Sequence, residues 1–194
     1  MGGAVESGAT RALKSQKWTP TGGTLIKKGN MKKLRLLLFD ECHRACVGCC
    51  NKDWDLDKLP ICYDYTPYDE IILTGGEPLL YPIIIEELVP YLRKVINPNT
   101  KIYLYTAYIE NTAIVRNIIT LIDGICITLH EQKDVEPFRI LVSSSSFPGK
   151  SLRLNVFRGV HLGDDINTAG WKVKDNIEWI KDCPLPEDEV FMRL

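Results

Sequence analysis

Four of the seven cysteines, Cys42, Cys46, Cys49 and Cys50, crowd into nine residues, whereas Cys62, Cys126 and Cys183 stand apart. Where thiols are kept reduced, so dense a cluster speaks for metal or redox chemistry rather than for a disulfide frame. The first three have the spacing C-x3-C-x2-C. Three thiolates on one short loop suit three irons of a [4Fe-4S] cube and leave the fourth iron to an outside ligand. A structural zinc ion would need a fourth protein ligand, which Cys50 or His43 offers. Spacing alone leaves both centres open. The adjacent side chains of Cys49 and Cys50 point in different directions, so Cys50 is read as a small buried side chain outside the centre. The remaining cysteines lack the clustering of a second site, and Cys126, in mid-strand, is expected in the core.

A second candidate is Gly75-Gly76-Glu77-Pro78, which follows the apolar run ending at Thr74. Paired glycines let a ligand approach the backbone closely and leave carbonyls open to a cationic amine, where any Cβ would collide. On its own such a pair is a tight turn.

Both motifs need elements to hold them at one place. Short apolar runs at 34–39, 71–74, 102–105, 124–129, 152–156 and 190–194 predict six strands. The first, nearly continuous, carries the pattern of a strand buried on both faces. Amphipathic stretches at 83–96, 111–121 and 131–142 predict helices between them, with a kink at Pro90 and a weaker helix at 175–181. The segment from Asn51 to Glu70 is acidic, aromatic and broken by prolines, which argues against a regular first helix. Strands alternating with helices imply right-handed crossovers and a parallel sheet. Six strands are too few to close an eight-stranded barrel. The expected fold is therefore α/β, an open partial (βα)6 TIM-like barrel. Both motifs then lie at the carboxyl ends of neighbouring strands, the edge where parallel α/β folds bind ligands.

The pairing of C-x3-C-x2-C with Gly-Gly-Glu-Pro, in that order and one strand apart, resembles the radical S-adenosylmethionine (SAM) superfamily over residues 34–194. The resemblance implies a radical SAM core with one [4Fe-4S] cluster on Cys42, Cys46 and Cys49, and SAM held at Gly75, Gly76, Glu77 and Pro78. It implies that reductive cleavage of SAM gives a 5′-deoxyadenosyl radical that abstracts hydrogen, an oxidoreductase chemistry of anaerobic settings. Thr106, Thr128, His130 and Asn155 stand at strand positions where that family places polar contacts to SAM. His43 and Arg44 are expected to shape the cysteine loop rather than to transfer protons. The residue before the third cysteine is often aromatic in that family and packs on the adenine; here it is Gly48. The loop Cys46–Asn51 is most similar to the activating subunit of anaerobic ribonucleotide reductase. That similarity implies a glycyl-radical activase-like role, with modification of a peptide, nucleotide or metabolite as the alternative. It also implies a protein or peptide at the open barrel face and an electron donor such as flavodoxin or ferredoxin. A zinc- or Fe-S-binding interaction protein is the reading of another class.

Charge is unevenly placed. The 194 residues carry a net charge of −1, yet residues 1–33 hold seven bases against Glu6. Residues 1–30, rich in Gly, Ser, Thr and Lys, are read as a flexible basic arm before a core domain at 31–194. An acidic body is a poor nucleic-acid module, which would present a basic face. The apolar runs are too short to span a bilayer, and the N-terminus lacks the apolar stretch of a secretory signal, so a cytoplasmic protein is expected.

Overall fold

The computed structural model describes residues 32–144, 146–180 and 183–194. The chain divides into the units Met1–Asn30 and Met31–Leu194, and the expected arm lies outside the described residues.

Seven parallel strands make one sheet: β1 (Lys33–Leu37), β2 (Glu70–Thr74), β3 (Lys101–Thr106), β4 (Gly124–Leu129), β5 (Ser151–Phe157), β6 (Trp171–Ile177) and β7 (Glu189–Arg193). Their order is β6-β5-β4-β3-β2-β1-β7. Burial alternates residue by residue along β3 and β5, and along β1 as far as Leu36. One face of these strands, including Leu34, Leu36, Ile102, Leu104, Leu152 and Leu154, joins a single apolar cluster with the helices α1 (Pro82–Tyr91), α2 (Thr112–Leu121) and α3 (Val135–Ser143). The helices contribute Ile85, Val89, Val115, Ile118, Phe138 and Leu141 to that cluster. The other face carries Arg35, Tyr103, Tyr105, Arg153 and Asn155 and is only partly covered. The first strand is thus covered by the helices at Leu34 and Leu36, and on its other face Leu37 is buried as well while Lys33 and Arg35 are half-buried.

Local chemistry explains the helix limits. The Asn111 side chain caps α2 by accepting from the Ile114 amide at 3.2 Å. α1 runs through Pro90, and the chain widens into a π-turn at Leu92–Ile96 directly after it, close to where the missing proline N–H interrupts the ladder. Between β1 and β2 there are only short 3-10 turns, at Cys50–Asp53 and Leu56–Lys58.

Two expectations about the C-terminal part are corrected. Where a helix is expected over 175–181, residues 175–177 end strand β6, Trp171–Ile177, and residues 178–180 have no regular structure, so the described residues form a sheet of seven strands rather than six. Trp171 and Val173 pair with the core-facing Leu152 and Leu154, a bulge then brings Ile177 opposite Phe157 on the other face, and the intervening charges belong to an edge strand, where lysine is an ordinary means of blocking further pairing. The last strand does not extend the sheet beside β6. It pairs with β1 at the opposite edge, Leu36 against Met192, so the chain crosses the sheet between β6 and β7.

That crossing explains a further correction. Cys50 is not a lone buried thiol; it is bonded to Cys183, 133 residues away. A bond closing so long a loop restricts the unfolded chain by about 5 kcal/mol in the chain-entropy account. Under non-reducing conditions Cys183→Ser is expected to melt at least about 5 °C below the wild type, and the gap should close when a dithiol reductant is added. Equal melting temperatures without reductant would show that the bond contributes nothing. No helix among the described residues is long and apolar enough to cross a membrane.

Candidate functional site

The carboxyl end of β1 runs on beside the carboxyl end of β2. Leu38 donates to the Thr74 carbonyl at 2.9 Å, Gly76 to Phe39 at 2.8 Å and Glu77 to Glu41 at 2.8 Å. The start of the cysteine loop and the double-glycine turn are thus one hydrogen-bonded unit. The two glycines serve this contact. A Cβ on Gly75 would stand 2.8 Å from the Phe39 carbonyl oxygen, and one on Gly76 would fall on the carbonyls of Asp40 and Glu41. Close approach of backbone to backbone at this contact requires both glycines.

Side chains complete the clamp. Asn51 donates its amide to the Gly75 carbonyl at 2.8 Å, and Lys52 donates to the Cys46 carbonyl at 2.6 Å. Arg44, almost fully buried, donates to Asp134 at 2.5 Å and to the Ala107 carbonyl at 3.2 Å, joining the loop to the ends of β3 and β4. Asp134 in turn accepts from the His130 and Glu131 amides at 2.9 and 3.0 Å. Arg44 therefore shapes the loop, as its place in the sequence suggests. His43 stacks edge-on against Tyr108, with ring centroids 5.1 Å apart.

Glu77 and Thr106 turn toward each other. The buried Glu77 carboxylate accepts from Thr106 Oγ1 at 2.5 Å, from the Ala107 amide at 2.9 Å and from the Leu79 amide at 3.1 Å. These two side chains brace the turn between β2 and β3. Thr106→Val leaves one carboxylate oxygen short of a donor and is expected to cost about 1–3 kcal/mol of stability, read as a lower melting temperature, with all the free thiols still titratable. An unchanged melting temperature would remove the brace.

One cavity of about 310 Å³ gathers the site, within the range of small-molecule pockets. Cys42, Cys46, Cys49, Gly75, Gly76, Glu77, Thr106, Thr128, His130 and Asn155 all line it. Pro78 does not; it is buried at the start of a short 3-10 turn, Pro78–Leu80. Thr128 and Asn155 are register partners on β4 and β5, with Asn155 Nδ2 3.4 Å from Thr128 Oγ1 and 3.3 Å from Cys126 Sγ. His130 Nδ1 lies 3.5 Å from Cys46 Sγ. Burial, followed by the Arg44 cation, holds His130 down at about 4, so the ring is neutral near neutral pH. Burial also pushes the Cys42 and Cys46 thiols above their ordinary value, so a metal binding there must displace protons.

The cavity has further walls that the motifs do not announce: Arg35, Tyr105, Phe157, Trp179 and Phe191. Arg35 is held by Glu189 at 2.7 Å, across the β1–β7 pair. Period-two alternation along β1, β3 and β5 places Arg35, Tyr105 and Phe157 on the partly covered face; Trp179 carries no comparable signal. Among the described residues, no group of three or more His, Cys, Asp and Glu side chains is gathered closely enough to hold a single metal ion. Compared with protein-family models, with curated proteins and with solved structures, the chain gives no match.

Proposed function

We propose that this chain is a radical SAM enzyme with a single [4Fe-4S] cluster on Cys42, Cys46 and Cys49. The observation that carries the reading is the meeting of three free thiols and the Gly75–Glu77 turn in one cavity at the carboxyl edge of a parallel sheet. The donor chemistry fits the cube. Cys50 is engaged with Cys183, which leaves three thiols on the loop, and three thiolates that each hold a different iron need not converge on one point. Cys42, Cys46 and Cys49 would hold the cluster, which when bound would supply the electron for reductive cleavage of SAM to methionine and a 5′-deoxyadenosyl radical.

The protein's own part is to bind, orient and exclude water. Arg44, Asn51 and Lys52 fix the loop that presents the thiols. Thr128 and Asn155 offer hydroxyl and amide groups to the polar parts of a cosubstrate, while Phe157 and Phe191 add apolar lining. The helices cover one face of the sheet, and its edge strands β6 and β7 do not pair with each other, which supports an incomplete (βα)-type barrel open on one side. A protein or peptide substrate would cover the side on which β6 and β7 leave the sheet unpaired, as a glycyl-radical activase-like role requires. A flavodoxin- or ferredoxin-type donor would supply the electron.

The test is anaerobic reconstitution with iron and sulfide, then incubation with SAM and a strong reductant. Methionine and 5′-deoxyadenosine should form one for one. Stoichiometric zinc in the purified chain, with neither product, would favour a non-catalytic metal-binding protein.

A further inference from the structure

Trp179 sits in an unusual place for so large an apolar side chain. It follows the last residues of β6, and 41% of it remains exposed although three groups pack against it. Its ring centroid lies 4.4 Å from that of Phe157 and 5.0 Å from that of His130. On a third side lies Gly48, within the cysteine loop. A Cβ at position 48 would stand 2.5 Å from Trp179 Cγ and 2.6 Å from its Cβ, so the indole occupies the space a side chain there would need. The segment carrying Trp179 is held at both ends, by the hydrogen bond from Arg158 N to the Ile177 carbonyl at 2.9 Å and by the Cys50–Cys183 bond.

The indole also lines the 310 Å³ cavity, beside Cys46, Thr128, His130 and Asn155. A rigid aromatic ring at a cavity wall, flanked by side chains able to hydrogen-bond, is a surface for a flat ligand group with polar edges. A nucleobase is such a group, because stacking on an aromatic ring is sequence-tolerant while the edge groups give orientation.

We infer that Trp179 is the stacking wall for the base of a nucleoside-containing ligand, with Gly48 kept free of a side chain so that the indole can reach the loop. This rests on the reading of the cavity as a SAM site and names the residue that would hold the adenine there. Trp179 is a binding residue from a segment remote in sequence from both motifs, and Phe157 and His130 are its positioning residues.

Calorimetric titration of the reconstituted full chain with SAM, with adenosine and with methionine tests this. Trp179→Ala should weaken SAM and adenosine about 10-fold, and leave methionine within about twofold of the wild type. Trp179→Phe should retain most of the affinity. Gly48→Tyr should weaken SAM by displacing the indole, and the double variant Gly48→Tyr with Trp179→Ala should recover it, since one ring then takes the place of the other. Unchanged SAM affinity in Trp179→Ala would overturn the inference. So would an equal loss of methionine affinity with a lowered melting temperature, which marks a purely structural role. A wild type that binds adenosine in a Trp179-dependent way but not SAM would keep the stacking wall and reject the radical SAM reading. A wild type that binds neither would reject both.

Discussion

Replacing Cys42, Cys46 or Cys49 by alanine is expected to abolish iron–sulfur absorbance and SAM cleavage, reducing both to background. Three thiolates are the minimum that hold a cube with one open iron, so no partial function should survive the loss of one. Cys50→Ala is expected to keep both, because Cys50 is bonded to Cys183 and stands outside the ligand set. Its cost should be one of stability instead, through release of the long loop. The four variants are distinguished by iron and sulfide analysis together with thermal melting. A Cys50→Ala protein that loses the cluster while Cys42→Ala keeps it would contradict the ligand assignment.

Gly76→Val is the second large effect. Its Cβ would fall on the carbonyl oxygens of Asp40 and Glu41, both backbone atoms at the entrance of the cysteine loop. The Glu41 carbonyl is tied to the turn by the Glu77 amide and the neighbouring Phe39 carbonyl by the Gly76 amide, so this stretch cannot retreat without breaking those hydrogen bonds. Overpacking of this kind is expected to cost about 3 kcal/mol or more and to displace the loop that carries Cys42. Gly76→Val should therefore lose cluster assembly as well as SAM binding, and Gly75→Ala should be milder, since its added atom meets only the Phe39 carbonyl at 2.8 Å. Melting temperature and iron content of the two variants give the ranking. A stable Gly76→Val protein with a full cluster and weakened SAM binding alone would mean that the glycine faces the ligand rather than the loop.

How much of this was legible in the chain follows from what each signal depends on. The strands at 71–74, 102–105, 124–129 and 152–156 were visible because their apolar residues answer to the core beneath the helices. Thr128 and Asn155 could be placed at the cavity because alternation along a strand is geometric, whereas Thr106 shares the face of Ile102 and Leu104 and reaches the cavity only because it ends its strand. Strand β6 was not visible as such: it lies at an edge, its lysines face solvent, and Asp175 and Asn176 suit a helix surface equally well. The pairing of β7 with β1 is set by where the crossing chain finds an uncovered edge, which local pattern does not encode. Cys183 and Trp179 reach the site only through that crossing, so neither the bond to Cys50 nor the fit against Gly48 could be found by spacing. Glu77 lines the cavity, and its oxygens also accept from Thr106, Ala107 and Leu79. A carboxylate in a turn motif looks the same in sequence whether it faces a ligand or the neighbouring strand.

The central claim is that SAM binds directly to an iron held by Cys42, Cys46 and Cys49. Electron paramagnetic resonance of the reconstituted, reduced protein, recorded with and without SAM, addresses it most directly. The account predicts a reduced [4Fe-4S] signal whose shape and g-values change when SAM is added, in a wild type holding about four irons per chain. A chain that takes up zinc and gives no iron signal, or a cluster signal that SAM leaves unmoved, would contradict it.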